Sequence, residues 1–272
     1  MSERTTYVPG TPCWVDLATP DIEAAERFYG ELFGWKIPER ADSHEMGGYR
    51  RAILNGKDVA GVMPLMDRGQ EGQPPVWTTY ISVDYADPIS RAIQENGGTM
   101  IAEPMAVKSF GRLALFTDPE GAFFGVWEPA DFAGAELVNE KGAVGWNELE
   151  SRDPARAKEF YGAVFGWDFV DHDMGEMTYT EWQVDGKAVG GMADVNGRIP
   201  DEVPAHWMTY FGSVDTDEAV DKIKELGGQV MFGPIDIPAG RFAMVTDPHG
   251  AAFAVMQPSE QTLDRAREQG RV

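Results

Sequence analysis

One eight-residue string occurs twice in this chain, and it constrains the fold more than any other feature. It reads FYGELFGW at 28–35 and FYGAVFGW at 160–167, with six of eight positions identical and a separation of 132 residues. In each copy a short strand and a proline precede a helix that carries aromatics on its apolar face. A glycine, Gly34 or Gly166, ends that helix, as glycine does where the chain needs φ > 0. The duplication predicts two copies of one module.

The pattern on either side of the repeated string sets the extent of the two modules. Within each module the order strand, helix, strands occurs twice, and hairpin turns such as Asn55-Gly56 separate the strands. This order predicts an α+β fold in which each module is a pair of βαβββ units. The predicted segments are module 1 at 12–129, a linker at 130–141, module 2 at 142–258 and a charged tail at 259–272.

Composition excludes several classes of partner. The net charge of −22 is unsuited to nucleic acid, because phosphate binding requires a basic surface. The longest apolar run is far too short to span a membrane, and the N-terminus lacks the apolar core of a signal peptide. The one cysteine, Cys13, cannot form an intrachain disulfide. We therefore expect a cytoplasmic protein without nucleic-acid or membrane partners.

The repeated strings, the Gly-Gly pairs that open later strands and the TDPxG turns at Thr117 and Thr246 resemble the vicinal oxygen chelate superfamily. That superfamily includes glyoxalase I, bleomycin-resistance proteins and extradiol dioxygenases, and the resemblance covers about residues 12–258. More narrowly, the tandem is similar to the actinobacterial two-module glyoxalase-like antigen group, often labelled hydroxylase. The resemblance implies an eight-stranded, half-open barrel around a cavity in each module, but fold analogy alone gives no reaction.

In many single-module relatives, the resemblance implies, two chains share strands to build the cavity. Here both modules are covalently linked, which already makes their effective concentration high. We therefore expect an intramolecular pseudo-dimer of modules that is mostly monomeric in solution.

The positions that hold metal in active members of this superfamily carry unsuitable residues here. A divalent ion needs several nitrogen, oxygen or sulfur donors that converge at roughly 2.0–2.6 Å. We therefore expect no metal and no other cofactor. The positions implied by the resemblance fall on Trp14, Thr78 and Gly125 in module 1, and on Trp146, Met208 or Thr209, and Ala254 in module 2.

The four histidines do not restore such a site. His44 and His172 occupy matched contexts, which we place in the loop between the first helix and the second strand, as candidates for a pocket rim. His249 occupies a turn. His206 shares the strand face of Met208, so it is either an acid–base group or a hydrogen-bonded wall residue.

Strand alternation predicts which side chains face each cavity. Val15 and Leu17 are apolar and pack on the helix, so Trp14 and Asp16 face the cavity. The candidate catalytic groups are Asp16, Glu148 and His206. The candidate ligand-binding residues are Trp14, Tyr80, Trp127, Arg112, Trp146, Tyr210, Met256 and Arg241.

The two arginines have an alternative interpretation. They open matched strands, so they reach inward, where they would neutralise Asp16 and Glu148 in buried pairs, or outward into solvent.

Three functions from different classes are consistent with this pattern. The first is a metal-independent enzyme that acts on a cyclic or aromatic metabolite by acid–base chemistry, of lyase, isomerase or hydrolase type. The second is a ligand-sequestering protein of the bleomycin-resistance type without catalysis. The third is an interaction protein whose cavities are filled.

The modules differ at matched cavity positions. Module 1 carries Phe123 and Trp127 where module 2 carries Ala252 and Met256. We therefore expect aromatic side chains to fill part of module 1 and the larger pocket to lie in module 2.

Overall fold

We describe the protein from a computed structural model, which covers residues 2–41, 43–65, 74–175 and 177–269. Each predicted module forms one mixed sheet, and the described residues contain five α-helices, so the fold is α+β with two tandem modules. Neither sheet closes on itself. The loop predicted at 66–75 lies mostly outside the described residues.

Module 1 has seven strands within the described ranges, one fewer than the resemblance implies. The segment after its first helix contributes only an isolated bridge, Lys36 to Ile53. The strand order across the sheet is β2-β3-β1-β4-β7-β6-β5. The elements are β1 (Pro12–Thr19), α1 (Ile22–Phe33), β2 (Arg50–Leu54), β3 (Lys57–Pro64), β4 (Val76–Ser82), α2 (Ala86–Glu95), β5 (Thr99–Val107), β6 (Gly111–Thr117) and β7 (Phe123–Pro129).

Module 2 repeats this plan with one more strand. The strand order is β13-β14-β15-β12-β8-β11-β10-β9. The elements are β8 (Val144–Ser151), α3 (Pro154–Phe165), β9 (Asp168–Asp173), β10 (Thr178–Val184), β11 (Lys187–Asp194), β12 (His206–Gly212), α4 (Thr216–Glu225), β13 (Gln229–Ile237), β14 (Gly240–Thr246), β15 (Ala252–Pro258) and α5 (Glu260–Glu268).

The extra strand corrects the placement of His172. This residue lies in β9 and pairs in register with Tyr179 of β10, so it is not in a loop. Its matched residue His44 lies in a short 3₁₀ turn, His44–Met46.

The first helix of each module is defined by its caps. The Asp21 side chain accepts a hydrogen bond from the Ala24 amide at 2.8 Å, which satisfies a donor that the helix leaves open. Gly34 ends the helix with φ of 80°, a left-handed conformation that glycine adopts without strain. Asp153 and Gly166 perform the same two roles for α3.

The apolar cores that contact the helices are shared between the modules. One core joins Phe28 of α1 with Ile223 of α4 and Phe253 of β15. The other joins Ile93 of α2 with Phe160 of α3. Each core therefore combines the first half of one module with the second half of the other. We call the face of each sheet that packs on these cores its helix face, and the opposite face its cavity face.

The two motifs that mark the repeat bind each other across the modules. Tyr29, from the first FYG string, donates to Asp247 Oδ2 at 3.2 Å, and Trp77 Nε1 donates to the same tyrosine oxygen. Tyr161, from the second string, donates to Asp118 Oδ2 at 3.0 Å. Each string is therefore joined to the TDPxG turn of the other module.

No helix in the described part of the chain is long and apolar enough to cross a membrane.

Candidate functional site

One row of residues crosses the cavity face of module 2. Glu148 of β8 lies opposite Gly191 on one side and Met208 on the other, and Glu181 of β10 lies opposite Gly191. Residues in register on neighbouring strands point to the same face. Glu181 and Glu148 therefore share the cavity face. Their strands are two strand spacings apart across the sheet, or about 10 Å.

Glu148 is the centre of a buried hydrogen-bond network. Its carboxylate accepts from Tyr210 at 2.6 Å, and also from Tyr179 and Glu150. Trp146 Nε1 donates to the Tyr179 hydroxyl at 2.8 Å. Glu148 and Glu150 are both buried, whereas Trp146 is half-buried. The indole therefore lies between the network and solvent.

Glu148 and Glu150 form a buried pair in which both pKa values are raised. Burial raises the pKa of Glu148. Burial raises the pKa of Glu150 well above its usual value, and the nearby Glu148 charge raises it further. The two carboxyl groups are hydrogen-bonded to each other, and this arrangement favours a proton between them. The other oxygen of Glu150, Oε1, is buried without a hydrogen-bond partner.

His206 lies directly opposite Glu150 in the sheet. Its Nδ1 is 2.9 Å from the Pro204 carbonyl, and burial lowers the pKa of the ring, so the imidazole is neutral at pH 7. With Nδ1 donating to the carbonyl, Nε2 carries the lone pair. The structure thus places Glu148, Glu150 and His206 on two adjacent strands, β8 and β12.

Module 1 has a matching network around Asp16. Asp16 is buried and accepts hydrogen bonds from Tyr80 and Thr78, and burial raises its pKa to about 7. Trp14 Nε1 donates to the Tyr49 hydroxyl at 2.7 Å, as Trp146 does to Tyr179. The two cavity faces therefore have the same floor: a tryptophan, two tyrosines and one central acid.

Sequence reasoning missed three members of these networks. Glu150 follows Glu148 by two positions, so alternation alone places it on the same face. Tyr49, which immediately precedes β2, and Tyr179 of β10 were missed because the sequence around them gave no sign of a partner. A signal exists in glycines on the neighbouring strands, because a Cβ at Gly61 or Gly191 would collide with a tyrosine hydroxyl.

The cavity face of module 1 is covered by the linker. Phe132 packs edge-on against Trp14 with ring centroids 4.9 Å apart, and Trp127 Nε1 donates to the Phe132 carbonyl at 2.8 Å. The Arg51 guanidinium lies 4.5 Å from the rings of both Phe110 and Phe132. The linker thus places an aromatic ring over the first tryptophan of the module.

The matched segment of module 2 is a helix without these rings. Ala130 donates to the Phe110 carbonyl at 2.9 Å, and Ser259 donates to the Ala239 carbonyl at the same distance. This correspondence matches Phe110 with Ala239. Phe132 lies two residues after Ala130, and Gln261 lies two residues after Ser259, so these two residues correspond. Gln261 is an exposed residue of α5. Neither aromatic of module 1 therefore has a counterpart in module 2.

Of the two directions that the sequence left open for Arg112 and Arg241, the structure shows the outward one. Arg112 pairs with Asp87 of α2 at 2.8 Å, and Arg241 pairs with Asp217 of α4 at 2.7 Å. Arg112 shares its strand face with Ala114 and so points to the helix face. Neither arginine pairs with Asp16 or Glu148, so the predicted buried pairs on the cavity faces do not form.

The remaining predicted residues lie on the cavity faces. Trp14, Tyr80 and Trp127 form one apolar cluster in module 1. Trp146, Tyr210 and Met256 pack in the corresponding cluster of module 2.

The residues at the implied metal positions do not fit a metal ion. In module 2 these positions carry Trp146, Met208 or Thr209, and Ala254. Trp146 and Ala254 lie opposite Tyr210 on its two sides, and an indole and a methyl group supply no metal donor. Among the described residues, no group of three or more His, Cys, Asp and Glu side chains is arranged to hold a metal.

A family model matches both modules. The model of the glyoxalase/bleomycin resistance protein/dioxygenase superfamily matches residues 13–126 and again 143–255. The chain belongs to this superfamily. The two matches fall on the two sheets described above, one in each module.

Two relatives match over nearly their whole length. CFP32 of Mycobacterium tuberculosis, which carries a provisional glyoxylase name, is 40% identical over 265 residues that cover 96% of this chain and 100% of CFP32. The anthracycline biosynthesis protein DnrV of Streptomyces peucetius is 36% identical, with 94% of this chain and 96% of DnrV covered. Both therefore share the tandem arrangement.

Solved structures of more distant proteins share the fold. The Mn(II)-bound glyoxalase of Novosphingobium aromaticivorans has a TM-score of 0.62 at 16% identity, covering 92% of this chain and 82% of that one. The 2,3-dioxygenase LapB of Pseudomonas sp. KL28 has a TM-score of 0.61 at 13% identity, covering 94% and 96%.

Proposed function

We propose that this protein binds a flat, ring-containing small molecule on the cavity face of module 2 and acts on it by acid–base chemistry without a metal. The observation that carries the proposal is the Glu148–Glu150 pair. It is buried beneath a half-buried tryptophan, and one Glu150 oxygen has no partner. Buried carboxyl groups with raised pKa values are typical of sites that transfer protons near neutral pH.

The pair suits proton transfer beside a carbonyl group. The Glu148 carboxylate removes a proton from the carbon next to the carbonyl while Glu150 donates its own proton to the carbonyl oxygen. The resulting enol then returns its hydroxyl proton to Glu150 and receives the Glu148 proton at another carbon. This sequence is an isomerisation that leaves the enzyme unchanged and needs no oxidant or reductant.

Two observations indicate the expected class of ligand, one from the site and one from a relative. Trp146 offers a flat apolar surface beside the acid pair, which favours a planar ring. DnrV is named for anthracycline biosynthesis, and anthracyclines contain fused aromatic rings. A fused-ring compound with a carbonyl group fits both observations.

The test uses 1,4-dihydroxyanthraquinone, a fused-ring carbonyl compound, in calorimetric titrations with EDTA present. We expect one site per chain. Trp146→Ala weakens binding at least tenfold, and the matched variant Trp14→Ala leaves it within twofold because Phe132 covers Trp14. Loss of binding in Trp14→Ala alone would move the site to module 1.

Catalysis is tested by exchange of solvent deuterium into an enolisable tricyclic ketone, anthrone, followed by mass spectrometry. We expect exchange to fall at least 100-fold in Glu150→Gln, which keeps the shape and removes the acid. Unchanged exchange in that variant contradicts the proposed chemistry.

A second candidate function is sequestration without catalysis. Three donors already occupy the Glu148 carboxylate, which favours a structural role for that group. Tight binding of the quinone together with exchange no faster than in buffer would support this alternative.

We further propose that the protein works as a cytoplasmic monomer. Its lone cysteine is a buried free thiol, and its helix faces are covered by the other module of the same chain. Light scattering at low micromolar concentration should give the mass of one chain, and an obligate dimer would contradict the proposal.

A further inference from the structure

One row of the cavity face differs between the modules at two positions that face each other. In module 2, Glu150 of β8 lies opposite His206 of β12. In module 1, the corresponding pair, two positions after the central acid of that module, is Ala18 opposite Val76. Both members therefore change together, from two apolar side chains to a carboxyl group and an imidazole. Because directly opposed residues on antiparallel strands interact, the joint change indicates that the two groups act together.

The third strand of this row makes room for the acid. Ala18 lies opposite Met63 on β3, whereas Glu150 lies opposite Ala193 on β11. A larger side chain on one strand is thus accompanied by a smaller one on the next, which is how cores accommodate a change of volume. Glu150 is 4% exposed, so its carboxyl group is built into the face of the sheet.

Glu150 has one oxygen left over after its internal bonds. The carboxyl group is hydrogen-bonded to Glu148, and its Oε1 is buried without a partner. A buried oxygen without a partner costs free energy, so such an atom in a native fold calls for a specific explanation. Contact with a group that brings and removes protons is one that the facing residue suggests.

His206 links this row to solvent. Its ring is half-buried, whereas Glu150 is buried. With Nδ1 donating to the Pro204 carbonyl at 2.9 Å, the lone pair lies on Nε2. Burial lowers the pKa of the ring, and the nearby Arg152 charge lowers it as well. A neutral imidazole of this kind accepts a proton and releases it again near neutral pH.

We infer that His206 is a proton-relay residue that carries protons between the Glu148–Glu150 pair and solvent. This inference rests on the proposed function, because it serves the same two acids. Directly opposed residues have Cβ atoms about 4.5–5.5 Å apart, so the imidazole reaches the Glu150 carboxyl group directly or through one water. In the outward step the O–H bond of Glu150 breaks as an N–H bond forms at Nε2. That N–H bond then breaks as the proton passes to water, and the inward step is the reverse.

The relay decides what becomes of the proton that Glu148 takes from the ligand. The proposed isomerisation returns every proton to the ligand or to Glu150 and needs no exchange with water. Solvent deuterium reaches the buried pair only if a group that contacts solvent delivers it. Exchange of solvent deuterium into anthrone should therefore depend on His206 as well as on Glu150.

The test measures that exchange by mass spectrometry in His206→Ala. Exchange should slow at least tenfold, and added imidazole should restore it, because a small diffusible base replaces the missing ring. Affinity for 1,4-dihydroxyanthraquinone should stay within twofold, which shows that the site is still folded. The matched variant Val76→Ala in module 1 should leave exchange within twofold.

A second variant separates proton relay from a structural role. His206→Gln keeps a side-chain amide that can donate to the Pro204 carbonyl but cannot carry a proton, so it should lose exchange like His206→Ala. Exchange retained in His206→Gln would overturn the inference. A loss in His206→Ala that imidazole does not restore would also overturn it, because the ring would then support the structure rather than move protons.

The outcomes separate this inference from the proposed function. If the unaltered protein exchanges no deuterium into anthrone, or if Glu150→Gln leaves exchange unchanged, both are overturned. If Glu150→Gln abolishes exchange and His206→Ala leaves it unchanged, the relay alone is overturned.

Discussion

Module 1 and module 2 build the same floor, a tryptophan and two tyrosines around a buried acid, and then cover it differently. After the last strand of module 1 the chain continues as a linker that lays Phe132 on Trp14. After the last strand of module 2 it forms α5, which contributes Arg265 to Glu181. In this duplicated fold, the segment that follows each repeat decides which side chains lie on its cavity face.

The largest expected effect tests the bond between the modules. Asp118 accepts from the amides of Glu120 and Ala122 and from Tyr161. Asp118→Ala leaves two buried donors and one part-buried donor without this partner, and it should lower the free energy of unfolding by about 3–5 kcal/mol in urea denaturation. The matched Asp247→Ala should cost a similar amount. A loss below 1 kcal/mol in both would show that these bonds do not join the modules.

The next prediction concerns the aromatic cover of module 1. Phe132→Ala removes the ring from Trp14 and Arg51 and should cost about 2–3 kcal/mol of stability. The matched substitution Gln261→Ala, on an exposed helix position, should change stability by less than about 0.5 kcal/mol. Equal effects at the two positions would remove the distinction drawn between the modules.

A third prediction uses the matched turn residues Glu120 and His249. Glu120 accepts from the amides of Arg152 and Asp153 at 2.8 and 2.7 Å, which ties module 1 to the start of α3. Glu120→Ala should cost about 2 kcal/mol by thermal or urea unfolding. His249→Ala should be near neutral, because no side-chain bond of His249 corresponds to these. The opposite ranking would contradict this assignment.

The pH dependence of the free energy of unfolding tests the burial of Asp16. Because burial raises the pKa of Asp16 to about 7, the folded protein binds more protons than the unfolded chain between about pH 4 and 7. Stability should therefore fall as pH rises through this window. Asp16→Asn should remove about 2–3 kcal/mol of that fall between pH 5 and 8 in urea titrations. An unchanged slope would mean that Asp16 ionises freely.

The smallest expected effect is that of the outward arginines. Arg112→Gln and Arg241→Gln should leave quinone affinity within twofold, since both side chains pair with helix residues on the face opposite the site. A tenfold loss in either variant would place that arginine at the ligand after all.

Local features were predictable because neighbouring residues determine them. The sequence predicted that Gly34 ends the first helix, and the structure gives Ile22–Phe33 with Gly34 as its C-terminal cap. The predicted α+β fold of two tandem modules and the superfamily resemblance are also confirmed. The larger pocket expected in module 2 stays a prediction.

Errors arose where local rules apply incompletely. His172 was placed in a loop because its segment is polar, yet it forms an edge strand that β10 satisfies through hydrogen bonds. Arg112 was assigned to the ligand although alternation from Ala114 places it on the other face.

The sequence by itself determined the duplication, the helix ends and the alternation of faces, which depend on spacing along the chain. The tertiary structure decided which groups meet. Tyr29 binds Asp247, 218 positions away, and Arg265 reaches Glu181 from 84 positions away. Such contacts depend on how the modules pack and on the path of the chain after the last strand of each module. No local sequence pattern predicts either. Which side chains cover each cavity face is therefore a property of the folded chain.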